Sequence, residues 1–235
     1  RFADQSGIGE LSRAVNHGDI EKALSLLKND NEQIDWENIS LSQNLSRTIA
    51  KRVIESYSDY LDTDDPYRAF ELFSRFKILC AVKIGPFGVN AVNRLAEQVL
   101  IREGLIEAVR TTSKPWYRGR PVLVTRNDYD LELFNGDIGV TMPVPGSSSK
   151  DMYVYFPANS GELRRFLPHR LPEHETVYAM TVHKGQGSEF DHILLILPDR
   201  DYPVLTRELF YTGITRATKN VSIWGSEDVI RSTLS

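Results

Sequence analysis

The first third of the chain has apolar residues at every fourth position, separated by polar ones. The repeat consists of Leu41, Leu45, Ile49, Val53, Tyr57 and Leu61. This spacing puts the side chains on one face of an α-helix, which predicts a long helix with that face in the core. Asp64-Asp65-Pro66 then predicts a second helix start, because proline suits the first turn and acidic residues favour the positive end of the helix dipole.

A strand, a loop and a helix are predicted next. The apolar run Ile78-Leu79-Cys80-Ala81-Val82 is too short for an independent helix, and the loop Gly85-Pro86-Phe87-Gly88 follows it. Helical spacing of apolar residues returns between Val89 and Leu100.

Between residues 116 and 175 the pattern changes to short strands divided by turns. The predicted strands are 121–124, 138–140 and 152–156. Asn135-Gly136-Asp137 is typical of a tight turn. This stretch therefore predicts a small all-β insert.

The alternation of strand and helix resumes after the insert. The predicted elements are buried strands at 176–182 and 193–197, a helix at 206–217 and a last strand at 221–224. The predicted fold class is α/β, with one lobe interrupted by a β insert. We divide the chain into a first lobe part at 1–112, the insert at 113–175 and the completion of the lobe at 176–235.

Composition restricts the class of protein further. The 235 residues are 41% hydrophobic, which is enough for a buried core. No apolar run approaches the ~20 residues of a membrane helix, and no signal-peptide pattern is present, so we expect neither a membrane nor secretion. A lone cysteine, Cys80, within an apolar run predicts a buried residue in a reducing cytoplasm. The net charge of -4 argues against indiscriminate nucleic-acid binding, so any such contact is local.

Two segments carry candidate chemistry. Residues 181–191 read Thr-Val-His-Lys-Gly-Gln-Gly-Ser-Glu-Phe-Asp and lie between two predicted strands. Glycines among ionisable side chains at a strand end suit close approach of a ligand to the backbone, although a helix-capping turn with solvated side chains fits the composition equally well. Residues 207–217 form an ordinary amphipathic helix by composition, with Arg216 near its end.

The pair of segments, in this order, resembles motifs V and VI of superfamily 1 helicases. The closer resemblance is to RecD-type DNA helicases, the alpha subunit of exodeoxyribonuclease V, in their C-terminal part. Further similar blocks are 6–9, 85–88, 116–117, 119–121, 133–139 and 170–175. The resemblance implies a RecA-like lobe interrupted by a small Src-homology-3-like barrel.

This resemblance implies a nucleotide site shared with another lobe. Arg216 matches the motif VI arginine that contacts the γ-phosphate of ATP, where a planar and always charged donor suits the transferring group. Arg1 matches the tail of motif IV, whose arginine also senses this phosphate. Gly187 and Glu189 match the part of motif V that faces the nucleotide. Mg2+ is expected with ATP, and no metal ligands are predicted within this chain.

The resemblance also implies contacts with single-stranded DNA. Thr181 and His183 match positions that hold phosphates without reading bases, and Lys184 and Gln186 are candidates for the same face. Gly185 stands where RecD-type sequences often have serine, so a hydroxyl contact is absent there. The basic stretch 110–126, with Trp116 and Tyr117, suits a path for the strand, or else a linker whose aromatic rings pack into the insert.

The implied protein is the C-terminal motor half of an ATP-dependent helicase that moves 5′ to 3′ on DNA, in recombinational repair. Its implied partners are single-stranded and duplex DNA, the beta and gamma subunits of exodeoxyribonuclease V, and its own N-terminal ATP-binding lobe. No G-x-x-x-x-G-K-[ST] occurs, so we expect a fragment that does not hydrolyse ATP alone.

Other functions remain open at this point. The parent could be a stand-alone RecD-like helicase or a relaxase-type helicase. Outside the helicase class, the chain could be a non-enzymatic interaction module that keeps the helicase fold, or a single-strand-binding protein that uses the β insert alone. The acidic net charge makes the last of these less favourable.

Overall fold

A computed structural model describes residues 6–29, 31–39, 42–107, 116–145, 151–158 and 160–235. These ranges contain the helices α1 (Gly7–His17), α2 (Ile20–Lys28), α3 (Ser42–Asp62), α4 (Pro66–Arg75), α5 (Val89–Arg102), α6 (Arg207–Ile214) and α7 (Glu227–Leu234). The strands within them are β1 (Ile34–Glu37), β2 (Phe76–Cys80), β3 (Pro121–Val124), β4 (Ile138–Pro143), β5 (Met152–Pro157), β6 (Leu163–Phe166), β7 (His174–Thr176), β8 (Ala179–Thr181), β9 (Phe190–Ile196) and β10 (Ala217–Trp224).

The chain forms two compact units, each built from separate segments. The parallel-sheet unit contains Arg1–Ile49, Ser74–Arg94 and Ala179–Ser235. The antiparallel-sheet unit contains Ala50–Phe73 and Leu95–Tyr178. The division of the sequence at residues 112 and 175 stays a prediction.

The parallel-sheet unit is organised around strands that all run in the same direction. Among the described residues its strand order is β1-β10-β9-β2-β8. Cys80 at the end of β2 pairs with Thr181 on one side and with Ile196 on the other. Every residue of β2 is buried, as expected for a strand covered on both faces. The predicted α/β class with a parallel sheet is confirmed.

Parallel strands place their carboxyl ends along one edge of the sheet and their amino ends along the other. Residues that follow β2, β8 and β9 therefore leave from the carboxyl edge, and Phe190 and Ala217 enter β9 and β10 at the amino edge. Residues 182–189 connect β8 to β9, so this short segment passes from one edge of the sheet to the other. We call it the crossing segment.

The antiparallel-sheet unit contains the predicted β insert. Its strand order in the described part of the chain is β6-β5-β4-β3-β7. A hydrophobic core fills it, made of Val122, Val124, Leu133, Val154 and Phe156. The turn at 135–137 is confirmed: Gly136 has φ 107°, and the Asp137 carboxylate accepts the backbone N–H of Phe134 at 2.8 Å.

The predicted helical stripe is confirmed in the described part of the chain. Leu45, Ile49, Val53, Tyr57 and Leu61 are all buried in α3, whereas Leu41 lies outside the described residues. The predicted second start is also confirmed, because α4 begins at Pro66 and the Asp65 carboxylate accepts the N–H of Tyr67 at 3.0 Å. Cys80 is buried as predicted, and burial raises the pKa of its thiol.

Several predicted element bounds are wrong, among them the strand predicted at 193–197, which is Phe190–Ile196. The strand predicted at 78–82 is Phe76–Cys80, because Lys77 is buried despite its charge. The strand predicted at 176–182 is two strands, β7 in the antiparallel sheet and β8 in the parallel one. The helix predicted at 206–217 ends at Ile214, and the last strand begins at Ala217 rather than at residue 221.

The structure distinguishes between the two roles predicted for Trp116 and Tyr117. Tyr117 is 4% exposed and donates from its hydroxyl to the Glu97 carboxylate at 2.8 Å. Trp116 packs against the insert core, with the Arg120 guanidinium 4.7 Å from its ring centroid. Packing into the insert is therefore the alternative that the structure favours over a stacking surface for bases. Residues 110–115 of the basic stretch lie outside the described residues.

Candidate nucleotide and single-strand interface

The crossing segment is a series of tight turns that starts at Thr181. The Thr181 hydroxyl accepts the N–H of Lys184 at 3.3 Å, and the Thr181 carbonyl accepts the N–H of Gly185 at 3.2 Å. Further along, the Gly185 carbonyl accepts the N–H of Ser188 at 3.2 Å. These turns join two strands and cap no helix among the described residues, so the helix-capping alternative is wrong. They fix the backbone that carries the ionisable side chains.

The glycines of the crossing segment serve different purposes. Gly187 has φ 86°, a conformation that a side chain makes costly, and a Cβ there would meet no atom within 4 Å. Gly185 is buried, and a Cβ there would lie 3.2 Å from a methyl group of Leu79. Backbone geometry therefore requires glycine at 187, and close packing favours it at 185.

Arg216 is held against the crossing segment at the amino edge of the sheet. Its Nε donates to the Thr212 carbonyl at 3.2 Å, and one terminal nitrogen donates to the Ser188 carbonyl at 3.3 Å. Its own carbonyl accepts the N–H of Phe190 at 3.0 Å, so its backbone is fixed to the start of β9. The side-chain bonds lie at or beyond the long end of the ordinary range, so phosphate oxygens could replace these carbonyls.

The predicted nucleotide-facing residues that the structure describes lie at the same edge of the parallel sheet. Gly187 and Glu189 are exposed and directly precede β9, and Arg216 directly precedes β10. Because β9 and β10 are parallel neighbours, all three residues are at the amino edge. Arg1 lies outside the described residues.

The predicted DNA-facing residues lie at the opposite edge. Thr181 ends β8, and His183 and Lys184 follow it at the carboxyl edge. His183 is exposed, and Thr181 and Lys184 are partly exposed. Gln186 is exposed and lies between these residues and the nucleotide-facing group. The structure therefore separates the two predicted groups, although fewer than ten residues divide them in sequence.

A pocket connects the crossing segment with α6. It has a volume of about 260 Å³ and is lined by Val182, His183, Gln186, Val204, Thr206, Glu208, Leu209 and Thr212. Thr206 caps α6, since its hydroxyl accepts the N–H of Leu209 at 3.2 Å. Sequence reasoning missed Val204, Thr206 and Glu208, because no spacing links them to the crossing segment.

The described residues contain no group of three or more His, Cys, Asp or Glu side chains that could hold a metal ion. None of their helices combines the length and apolar character that crossing a membrane requires.

The chain is similar in part to a helicase family model and to solved helicase structures. Residues 176–224 match the family model described as UvrD-like helicase C-terminal domain. Among solved structures, Pif1 helicase from Candida albicans gives a TM-score of 0.42 at 15% identity, covering 79% of this chain and 55% of that one. Pif1 helicase from Bacteroides in complex with ADP-AlF3 and ssDNA gives 0.39 at 13% identity, covering 76% and 48%.

Similarity over the whole chain is more specific. RecBCD enzyme subunit RecD of Mycolicibacterium smegmatis is 35% identical, over 100% of this chain and 40% of that protein. RecBCD enzyme subunit RecD of Haemophilus influenzae is 29% identical, over 100% and 37%. ATP-dependent RecD2 DNA helicase of Deinococcus radiodurans is 32% identical, over 60% and 19%.

These matches confirm the resemblance to the C-terminal part of RecD-type DNA helicases. The chain spans about 40% of the length of the RecD subunits that it matches.

Proposed function

We propose that this chain is the C-terminal motor half of an ATP-dependent 5′ to 3′ DNA helicase that acts in double-strand break repair and recombination. The observation that carries this proposal is the geometry of the crossing segment. It places Thr181, His183 and Lys184 at one edge of a parallel sheet, and it holds Arg216 at the other. A single rigid sheet would thus bind DNA at one edge and contact nucleotide at the other.

The amino edge is proposed to complete a nucleotide site whose phosphate-binding loop comes from a separate lobe. Bound ATP and Mg2+ would supply the transferable phosphoryl group and part of its charge neutralisation. Arg216 would exchange the Ser188 carbonyl for γ-phosphate oxygens and stabilise the charge that develops on them. Gly187 would allow close approach of the backbone, and Glu189 would hold a ribose hydroxyl or a water of the metal ion. Arg1 is proposed as a second γ-phosphate contact.

The carboxyl edge is proposed to bind single-stranded DNA without reading its sequence. His183 and Lys184 would contact phosphates beside the Thr181 hydroxyl, with Gln186 on the same face. Duplex DNA ahead of the single strand would be the substrate for unwinding.

Further partners are proposed from the relatives. Proteins named as subunits of the RecBCD enzyme support assembly with beta and gamma subunits, and with an N-terminal ATP-binding lobe. The five antiparallel strands of the insert are proposed to form a Src-homology-3-like barrel. A bacterial cytoplasm is the proposed location.

The test is ATP hydrolysis by the full-length enzyme that contains this chain. Arg216→Ala is expected to lower single-strand-stimulated turnover by ~10³-fold while nucleotide binding is retained, and Arg216→Lys to rescue little of it, because lysine lacks the planar fork. Arg102→Ala, at an exposed arginine paired with Glu103, is the matched control and is expected to leave turnover unchanged. Unchanged turnover in Arg216→Ala would refute this role and favour a non-enzymatic scaffold.

A further inference from the structure

The pocket between the crossing segment and α6 has a composition that phosphate does not fit. Among the described residues that line it, none is Lys or Arg. Glu208 is an anion at neutral pH, because hydrogen bonds from its own backbone N–H and from the Thr206 hydroxyl lower the pKa of its carboxyl. A phosphate group would therefore meet a negative charge and no counter-charge in this pocket.

Its volume and remaining side chains suit one small ring. Val182, Val204 and Leu209 form apolar walls, and the amide of Gln186 supplies both donors and an acceptor. The volume of about 260 Å³ is below the ~300 Å³ at which pockets for drug-sized ligands begin, so one ring system fits and a whole nucleotide does not.

The pocket begins at the start of α6, beside the edge of the sheet that carries the proposed phosphate contacts. Thr206 and Glu208 are at the start of α6, and Arg216 lies beyond its end. Thr212, whose carbonyl accepts a hydrogen bond from the Arg216 Nε at 3.2 Å, also lines the pocket, so the pocket extends along α6 from its start toward this guanidinium. His183 lines the same pocket and is adjacent to Lys184, one of the proposed phosphate contacts.

We propose that this pocket binds one base of the single strand whose phosphates lie along residues 181–184, and that it favours cytosine over thymine. Glu208 is an acceptor only, so it selects the exocyclic amino group of cytosine over the carbonyl oxygen at the same position of thymine. The proposal rests on the proposed binding of single-stranded DNA, to which it adds a base contact and a base preference. The motor would then bind a base of the strand as well as its phosphates.

The experiment measures the affinity of the whole chain for three labelled 12-mers at low salt, by fluorescence anisotropy. The strands are oligo-dC, oligo-dT and an abasic strand that retains every phosphate. We expect oligo-dC to bind about fivefold more tightly than oligo-dT, and both to bind more tightly than the abasic strand.

Two variants test the pocket itself. Val204→Phe fills the pocket, so this variant is expected to bind all three strands with the affinity that the parent has for the abasic strand. The matched control is Val144→Phe, the same change at a half-buried valine of the antiparallel-sheet unit. Glu208→Gln changes an exposed side chain, so folding is expected to be preserved. This variant is expected to lose the preference for oligo-dC, while oligo-dT still binds more tightly than the abasic strand.

The outcomes separate this proposal from the proposed function. Equal binding of all three strands by the parent chain, sensitive to His183→Ala, would refute the base pocket and keep the DNA-binding edge. Base-dependent binding that persists unchanged in Val204→Phe would also refute the pocket. A parent chain that binds none of the strands would refute the base pocket together with the DNA-binding edge.

Discussion

Gly185 and Gly187 are two residues apart in the crossing segment, and their conformations are restricted for unrelated reasons. Gly187 adopts a positive φ, whereas Gly185 does not and is limited only by the side chain of Leu79. The first restriction lies in the backbone itself. The second lies in a flexible neighbour that can move by a few tenths of an ångström.

This difference predicts that the same substitution is destabilising at residue 187 and nearly neutral at residue 185. Gly187→Ala is expected to lower the free energy of unfolding by about 1 kcal/mol, because alanine is strained at φ 86°. Gly185→Ala is expected to be within about 0.5 kcal/mol of the parent, because the loss of unfolded-state entropy offsets the tight contact. Urea unfolding of both variants measures this, and equal destabilisation by the two would contradict it.

Lys77 is a second residue whose environment overrides its chemical type. It is 0% exposed within β2, with its ammonium group 5.9 Å from the ring centroid of Phe190. Desolvation by burial lowers its pKa well below the ordinary value of 10.5.

The lowered pKa predicts how stability depends on pH. Between the folded-state pKa and 10.5 the unfolded chain binds the proton and the folded chain does not, so the free energy of unfolding rises as pH increases through this window. Lys77→Met is expected to remove this rise, while Lys51→Met, at an exposed lysine, keeps it. Unfolding curves between pH 6 and pH 10 would contradict the account if the parent and Lys77→Met ran parallel.

At the scale of elements, short helices depend on their caps. α7 has only eight residues, and the Ser226 hydroxyl accepts the N–H of Val229 at 3.3 Å at its start. Glu227 and Asp228 in the first turn add a favourable interaction with the helix dipole.

Loss of this cap is expected to be measurable. Ser226→Ala should lower the free energy of unfolding by about 1 kcal/mol, and Ser226→Asp should restore most of it, because aspartate also caps well. Ser58→Ala, within α3, is the control and should be neutral or slightly stabilising, since alanine favours helix interiors. A loss in Ser58→Ala as large as that in Ser226→Ala would show that the cap is not responsible.

The elements also show what the sequence could and could not predict. Long periodic patterns such as Leu45 to Leu61 were sufficient, because one face of α3 is buried along its length. The break at residues 177–178 was not visible, because both sides of it are apolar and only tertiary pairing sends β7 and β8 to different sheets. β1 and β6 were missed because charged residues interrupt their apolar ones, whereas β3, which also has four residues, is apolar and buried throughout.

The candidate site was likewise predictable only in part from the sequence. Motif resemblance selected Thr181, His183 and Arg216, because side-chain chemistry is visible in sequence. It could not select the carbonyls of Ser188 and Thr212 that hold Arg216, since backbone acceptors have no sequence signature. The pocket residues Val204 and Thr206 were also invisible, because they reach the crossing segment only through the fold.

At the scale of the whole molecule, one parallel sheet is proposed to separate two functions, DNA binding at its carboxyl edge and nucleotide contact at its amino edge. The crossing segment joins the edges within eight residues, so it would link the proposed DNA contact to the proposed nucleotide contact covalently and through hydrogen bonds. Substitutions at one edge are therefore expected to leave binding at the other intact, while the coupling between them is lost.

The most direct test measures single-strand affinity and nucleotide affinity for Arg216→Ala and His183→Ala in the same full-length enzyme. Arg216→Ala is predicted to bind single-stranded DNA as the parent does, and His183→Ala to bind it about tenfold more weakly while it binds nucleotide normally. If Arg216→Ala lost DNA affinity to the same extent as His183→Ala, the separation of the two sites across the sheet would be contradicted.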